Sequence, residues 1–263
     1  MTFNTIDFQI LGLPSYLFVA LSGGVITICL YIVLMFSKEY DISQSMKILF
    51  FFFCIGMAVG AKLFGFITGV YRDIGLGKKI TKDSIFDTGI VFYGGLFGLI
   101  GCYTLLLDKK QCILDKYAID VLAVCIPFFH SIARIGCFLS GCCYGKKYNG
   151  VGSIQYVTMV EGGVDINYRM PVQILESVFE IILFFYLFLL LKSKEWMSRN
   201  ILKRYLILYS LGRFILEFWR GDVRRGIING ISFSQVVSVF IWLILMGKYF
   251  RKHILKTEEK NNG

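Results

Sequence analysis

The residues best suited to chemistry are charged side chains inside otherwise apolar segments. Arg134 lies in one such segment, Glu176 and Glu180 lie in the next, and Arg213 and Glu217 share a third. A spacing of four residues places Glu176 with Glu180, and Arg213 with Glu217, on one face of a helix. Charge inside a membrane is costly, so such residues are usually paired and often functional. Their convergence in three segments favours one shared site over separate structural ion pairs.

An arginine in such a place is suited to hold a lipid phosphate. Its planar guanidinium makes two parallel charge-assisted hydrogen bonds to an oxyanion. His130 precedes Arg134 by four residues and Cys137 follows it by three, so all three share one helix face. His130 is either a catalytic base or an ordinary hydrogen-bonded histidine. Lys62 is a further charge in an apolar segment.

Cys137, Cys142 and Cys143 form the one cluster among eight cysteines. Three interpretations stay open. The thiols form a disulfide, bind a soft metal together with His130, or supply a nucleophile that takes a transferred group transiently. A structural or redox role ranks first, because His-x6-Cys-x4-Cys-Cys is not a usual zinc spacing.

The composition indicates an integral membrane protein. Hydrophobic residues make up 56% of the 263 residues and charged residues 17%, against about 45–50% and 25% in soluble domains. The net charge is +10, but the basic residues cluster between apolar blocks, which indicates topogenic loop charge rather than a nucleic-acid partner. No basic region precedes the first apolar run, so we expect no cleavable signal peptide.

Seven apolar segments approach the length of about 20 residues that a membrane span needs. They are Pro14–Phe36, Met46–Val70, Ile90–Leu107, Ile119–Leu139, Val172–Leu191, Tyr205–Trp219 and Phe233–Phe250. We therefore predict an all-α integral membrane protein with about seven transmembrane helices in a single domain, residues 1–263. With the N-terminus outside, inner segments carry fifteen Lys and Arg residues and outer segments ten. This bias favours a multi-pass protein with a cytoplasmic C-terminus.

The loop at residues 141–170 is the one sizeable segment outside the apolar blocks. Alternation in SIQYVTMV (153–160) predicts a strand, and Glu161–Gly163 suits the turn of a short hairpin. We expect this loop to form a small extracytoplasmic subdomain.

Glycines open the third apolar segment, in Tyr93–Gly94–Gly95–Leu96, and Gly98 and Gly101 follow. Small residues there let another helix or a ligand approach the backbone. Helix packing accounts for Gly98 and Gly101 at least as well as ligand binding. Gly94 and Gly95, beside a tyrosine at the membrane interface, are the better candidates for binding.

Taken together and in this order, five motifs resemble the prolipoprotein diacylglyceryl transferase family over nearly the whole chain. The motifs are Tyr16, Tyr93–Gly94–Gly95–Leu96, RIGCFLSGCCYG (134–145), PVQILE (171–176) and GRFILEFWRGD (212–222). The family moves the diacylglyceryl group of phosphatidylglycerol to the thiol of a lipobox cysteine in a prolipoprotein. A thioether forms and glycerol phosphate leaves.

The resemblance implies a transferase of the bacterial cytoplasmic membrane that works near its outer face, with no metal or cofactor. Its substrates would be an anionic phospholipid and a lipoprotein precursor. Arg134 and Arg213 would bind the phosphate, Glu217 would orient Arg213, and Gly145 would shape the turn above the site. The expected catalytic residues are Arg134, Arg213, Glu217, Tyr16, His130 and Cys137. The expected substrate-binding residues are Arg134, Arg213, Tyr93, Gly94, Gly95, Gly145, Tyr209 and Glu176.

The chain departs from the family signature R-x-G-N-F-x-N-G-E-x-x-G. Cys137 and Ser140 replace the two asparagines and Cys142 replaces the glutamate, while Tyr93 stands where the family has histidine. A thiol is a weaker hydrogen-bonding group than an amide, and tyrosine takes up no proton at neutral pH. The arginines are kept, so the phosphate end of the reaction matches the family and the acceptor end differs.

Other functions stay open beside prolipoprotein modification. A paralogue could transfer a glycerolipid or glycerophosphate unit to another envelope acceptor. A lipid transporter could use the same arginines to guide a headgroup, although the sequence has no internal repeat. A catalytically inactive family member could serve in assembly.

Overall fold

The computed structural model describes the backbone of residues 2–4, 9–10, 13–36, 44–77, 79–80, 91–106, 112–160, 163–193, 200–221 and 227–261. Side chains are described for residues 15, 17–35, 54–77, 79–80, 91–101, 117–157, 166–193, 200–221 and 227–247.

Seven α-helices lie within these residues, one in each of the seven apolar segments. They are α1 (Ser15–Phe36), α2 (Gln44–Gly75), α3 (Phe92–Leu106), α4 (Cys112–Leu139), α5 (Val172–Lys192), α6 (Ile201–Leu216) and α7 (Phe233–Asn261). The helix in the sixth segment begins four residues before the predicted start. It ends before Glu217–Trp219, which form a 3-10 turn.

Four of these helices are long and apolar enough to cross a membrane. Their spans are Leu17–Met35, Cys54–Gly75, Tyr117–Leu139 and Val172–Lys192. The stretches Phe92–Gly101 and Phe233–Gly247 are apolar but shorter. Large apolar side chains point outward, including Val33, Leu189 and Leu243, each more than 60% exposed. Such surfaces are stable in lipid, which indicates a multi-pass membrane protein.

The helix α4 lies at the centre of the bundle and packs against α1, α5 and α6. Its residues Val121, Ala123 and Val124 have no exposed surface. The helices α2 and α3 form a second close pair, because glycines replace side chains where they touch. A Cβ atom on Gly98 would collide with the backbone of Gly56.

The short strands lie at the ends of the helices. They are β1 (Thr2–Asn4), β2 (Gln9–Ile10), β3 (Leu13–Pro14), β4 (Ile154–Val160), β5 (Gly163–Arg169), β6 (Ile227–Ile228) and β7 (Ile231–Ser232). The strands β4 and β5 pair in antiparallel register from Ile154–Arg169 to Val160–Gly163. The turn expected between them, residues 161–162, lies outside the described residues. Strand β1 adds to this hairpin in parallel beside β4.

Candidate active site

Glu176 is the centre of a buried cluster of charges that joins three helices. It lies in the first turns of α5, which begins directly after Pro171, and is 2% exposed. Its Oε1 lies 2.9 Å from Nη1 of Arg213 on α6, and its Oε2 lies 3.1 Å from Nε of Arg134 on α4. One carboxylate therefore fixes both arginines.

Both terminal nitrogens of Arg213 are held by carboxylates. Nη1 donates to Glu176, and Nη2 lies 3.1 Å from Oε2 of Glu217, one helical turn along the chain. Nη2 also donates to Oγ of Ser234 on α7, at 3.5 Å. The predicted pair of Arg213 and Glu217 is present. Through its three contacts, Arg213 also connects α5, α6 and α7.

His130 is hydrogen-bonded through both ring nitrogens. Nε2 accepts a hydrogen bond from Nε of Arg134 at 3.1 Å, and Nδ1 lies 3.0 Å from Oε1 of Glu180. This network assigns the proton to Nδ1, which donates to the carboxylate. The ring also stacks on Phe92, with centroids 4.0 Å apart. These contacts give His130 the geometry of a residue that positions Arg134.

Arg134 is held differently from Arg213. Its Nε contacts His130 and Glu176, each at 3.1 Å. Within the described part of the chain, its terminal nitrogens make one long hydrogen bond, 3.9 Å from Nη1 to Sγ of Cys137. The side chain is 11% exposed. The Nε edge of the guanidinium is therefore fixed, and the terminal nitrogens are less constrained by the described residues.

Tyrosines from two helices form an apolar wall beside the cluster. Tyr209 on α6 lies edge-on to Tyr93 at 5.3 Å and to His130 at 5.7 Å, and stacks with Tyr205. The Tyr93 hydroxyl is 2.7 Å from Oγ of Ser238 on α7. Both predicted residues, Tyr93 and Tyr209, thus lie against the charged cluster, and burial strengthens electrostatic interactions there.

Cys137, Cys142 and Cys143 form a compact group of sulfur atoms after the charged cluster. All three are free thiols, and their Sγ atoms lie within 4.8 Å of one another. Ser140 Oγ lies 3.3 Å from Sγ of Cys142. His130 does not join them, since its ring nitrogens bond to Glu180 and Arg134.

The pKa of the Cys143 thiol is lowered well below its ordinary value. Cys137 and Cys142 donate hydrogen bonds to its sulfur, and Arg220 and Arg134 add positive charge nearby. The pKa of Cys142 is raised, because its thiol hydrogen bonds with the other two sulfurs. These hydrogen bonds and the two arginines thus favour the thiolate form of Cys143.

Gly145 lies where the loop meets two helix ends. Its N–H donates to the carbonyl of Met170 at 3.0 Å, and its backbone pairs with that of Arg220. A Cβ atom on Gly145 would lie 2.8 Å from Cγ2 of Val172. The glycine therefore permits the close approach that the predicted turn requires.

Gly94 and Gly95 lie at the interface between α2 and α3. A Cβ atom on Gly94 would collide with the Gly60 carbonyl, and one on Gly95 would lie 3.0 Å from Cγ of Met57. Both glycines therefore have a packing role in the structure, and substrate binding by them stays a prediction.

Two further expectations have different outcomes. Tyr16 lies in the first turn of α1, but its side chain lies outside the described residues. Lys62 is exposed on α2, whereas Glu176 and Arg213 of the charged cluster are buried.

Sequence reasoning did not assign Ser234, Ser238 and Arg220 to the site. Ser234 contacts Arg213, Ser238 contacts Tyr93, and Arg220 is 6% exposed beside the loop. The spacing of four residues, which places both serines on one face of an apolar helix, could have indicated that this face meets the polar site.

The fold and the site together define a multi-pass membrane protein with a buried arginine–glutamate cluster that suits an anionic headgroup. The sequence model of the prolipoprotein diacylglyceryl transferase family matches residues 5–251. The chain belongs to this family.

Individual relatives support the same assignment. The phosphatidylglycerol–prolipoprotein diacylglyceryl transferase of Clostridium tetani is 33% identical over 191 residues, covering 72% of this chain and 74% of the relative. The enzyme of the same name from Campylobacter lari is 28% identical over 279 residues, 97% of this chain and 96% of the relative. The second such transferase of Clostridium perfringens is 34% identical over 160 residues, 59% of each chain.

Proposed function

We propose that this protein transfers the diacylglyceryl group of phosphatidylglycerol to the cysteine thiol of a prolipoprotein. The observation that carries this proposal is Arg134, whose Nε is fixed by His130 and Glu176 while its terminal nitrogens make, among the described residues, one long hydrogen bond to Cys137. Family membership supplies the substrates, since the relatives are named for phosphatidylglycerol and prolipoprotein.

The reaction replaces a carbon–oxygen bond by a carbon–sulfur bond. The acceptor thiolate attacks the glyceryl carbon that is bonded to the phosphate oxygen. The bonding electrons leave with that oxygen, and glycerol phosphate is released. Arg134 would neutralise the charge that develops on the phosphate, and a preorganised cation in a dry site does this without reorganisation.

Arg213, Glu176 and Glu217 keep Arg134 aligned. Because Arg213 uses both terminal nitrogens on carboxylates, its main effect on the phosphate is its charge and the position that it gives to Glu176. Tyr93 and Tyr209 keep water from the cluster, and such exclusion strengthens each ionic contact.

The proposed orientation has seven spans, the N-terminus outside and the C-terminus in the cytoplasm. Contacts among helix ends support it. The end of α4, the start of α5, the end of α6 and the start of α7 meet around Arg134, Glu176, Arg213 and Ser234. The pairing of β1 with β4 brings the N-terminal segment to the same side as the hairpin. Labelling of a C-terminal cysteine by a membrane-impermeant reagent in intact cells would contradict this orientation.

The activity is tested with purified protein, phosphatidylglycerol and a lipobox peptide. We expect a peptide heavier by one diacylglyceryl group and an equal amount of glycerol phosphate. Arg134→Ala should abolish both products, whereas Arg72→Ala, which removes an arginine outside the cluster that pairs with Asp73, should leave them unchanged.

Each other outcome has a defined meaning. Release of glycerol phosphate without a modified peptide would favour another envelope acceptor, which the altered residues around Cys137 make the second candidate. Full activity of Arg134→Ala would refute the role of this arginine. The absence of both products would refute the transfer and leave lipid transport as the function to test.

A further inference from the structure

The sulfur atoms of the three clustered cysteines lie close enough together to bind one metal ion. In tetrahedral zinc sites the Zn–S distance of about 2.3 Å places sulfur atoms about 3.8 Å apart. The Sγ atoms of Cys137, Cys142 and Cys143 already lie within 4.8 Å of one another. A shift of about 1 Å or less per pair would bring them to zinc-binding distances.

The backbone turns tightly around these cysteines, and hydrogen bonds fix the turn. Cys137 lies in the last turn of α4, and Gly141 turns the chain with a φ of 64°. The N–H of Cys142 donates to the carbonyl of Cys137 at 3.1 Å, and the Gln173 amide donates to the carbonyl of Cys142. Cys143 has a φ of 57°, which is strained for a residue other than glycine and is typical of functional sites.

The acceptor thiol must lose its proton before it attacks, because the thiolate is the nucleophile. His130, the described residue that we expected as a catalytic base, is engaged elsewhere. His130 is bonded at both nitrogens, and the Tyr93 hydroxyl bonds to Ser238. A metal ion held by the three nearby thiols would supply this activation without a protein base.

We propose that Cys137, Cys142 and Cys143 bind one zinc ion, and that its fourth position takes the acceptor cysteine as a thiolate. Sites with three protein ligands and an open position are typical of catalytic zinc, and a coordinated thiol is deprotonated. This proposal rests on the transfer proposed above. It replaces the expectation, drawn from the resemblance, that the site holds no metal.

The charges near the cluster suit this assignment. Zinc with three thiolates carries one net negative charge, and Arg134 and Arg220 both interact electrostatically with Cys143. Because Cys137 lies 3.9 Å from Arg134, the bound thiolate would lie next to the phosphate that Arg134 holds. Because the bound thiolate and the bound phosphate would be close together, the sulfur would lie near the glyceryl carbon that it attacks.

The step balances without another reactant. The acceptor thiol binds zinc and gives its proton to water. Its sulfur then attacks the glyceryl carbon, the carbon–oxygen bond breaks, and the electron pair leaves on the phosphate. The neutral thioether is a weak ligand and dissociates. A covalent diacylglyceryl intermediate on Cys143 is disfavoured, because an alkyl thiolate is a poor leaving group from a thioether.

Metal binding is tested first without any substrate. The full chain in detergent is stripped by a chelator, loaded with Zn²⁺, dialysed and measured by elemental analysis. We expect about one zinc ion per chain, and less than about a tenth of that in Cys137→Ala, Cys142→Ala or Cys143→Ala. Cys29→Ala, the same change at an exposed position of α1, should bind as the unaltered protein does. The zinc site would be overturned if each of the three single variants still bound about one zinc ion. It would also be overturned if any two of the three cysteines formed a disulfide.

Cobalt provides a readout that does not depend on the folding of a variant. Co²⁺ in the unaltered protein should give the strong near-ultraviolet absorption of sulfur-to-cobalt charge transfer. A lipobox peptide with cysteine should increase this absorption as a fourth sulfur binds, and the same peptide with serine should not. Equal responses to the two peptides would overturn the activating role.

Activity separates failure of this inference from failure of the transfer. Removal of zinc should slow formation of the modified peptide by about 10²–10⁴-fold, the usual contribution of a group that manages the proton. An unchanged rate after removal overturns the zinc role and leaves the transfer standing. No modified peptide from the zinc-loaded protein overturns the transfer, while zinc content and the cobalt spectrum still decide the site.

Discussion

Replacement of Arg213 by lysine tests whether the cluster needs the two terminal nitrogens of a guanidinium group or only a positive charge. Arg213 reaches Glu176 with Nη1 at 2.9 Å and Glu217 with Nη2 at 3.1 Å. An ammonium group is compact and cannot span two carboxylates that lie on different elements. Arg213→Lys should therefore keep one ionic contact and lose the other.

The size of the effect follows from the contact that is lost. A hydrogen bond to a charged group contributes about 1.5–3 kcal/mol, and here the abandoned carboxylate remains buried. With about 2–3 kcal/mol lost from alignment of the transition state, the rate of diacylglyceryl transfer should fall about 30- to 160-fold. The same loss in folding free energy should lower the melting temperature by roughly 4–12 °C.

The assay measures modified lipobox peptide over time, with melting followed by light scattering or intrinsic fluorescence. Arg72→Lys is the matched control, because Arg72 pairs with Asp73 at 2.9 Å and its side chain is 27% exposed. Exposed pairs contribute about 0–1 kcal/mol, so this change should have little effect. If Arg213→Lys has the same transfer rate and melting temperature as Arg72→Lys, the second guanidinium contact is not needed. The proposed alignment of the cluster is then wrong.

Two other substitutions give clear expectations. Gly98→Val should prevent stable assembly of α2 with α3, since a Cβ there meets the backbone of Gly56, and should lower the yield of folded protein in detergent. Gly101→Ala, where a Cβ meets open space, should fold normally, and equal yields would refute the packing role. Tyr93→Phe removes the hydroxyl that bonds to Ser238 at 2.7 Å and should cost about 1 kcal/mol in stability with transfer reduced less than tenfold. A transfer rate reduced a thousandfold in correctly folded Tyr93→Phe would instead make this hydroxyl a catalytic group.

Contacts along one helix were predictable from the sequence. Offsets of four residues place His130 next to Arg134 and Arg213 next to Glu217, and hydrogen bonds or ion pairs join both pairs at 3.1 Å. The helical period alone determines these neighbours. The apolar segments likewise give one helix each, since a continuous apolar run of that length is stable in lipid only when its backbone groups bond internally.

Contacts between helices were not predictable in the same way. That Glu176 bridges Arg134 and Arg213 depends on the packing of three helices against one another. The partners on α7, Ser234 and Ser238, are small polar residues whose sequence pattern fits helix packing equally well. Gly94 has a packing role that its motif did not reveal, because a Cβ atom there would collide with the Gly60 carbonyl of α2, while substrate binding by Gly94 stays a prediction.

The two arginines of the cluster are held differently, and under the proposed function this difference indicates where the phosphate would bind. Both terminal nitrogens of Arg213 contact buried carboxylates. Arg134 is anchored through Nε, and among the described residues its terminal nitrogens make one long contact, to Cys137. A phosphate that binds these terminal nitrogens would lie near the C-terminal end of α4, where Cys137 is. The acceptor sulfur, if bound by the cysteine cluster, approaches from that same end. Donor and acceptor are then brought together by residues one helical turn apart, and much of the barrier can be removed by proximity.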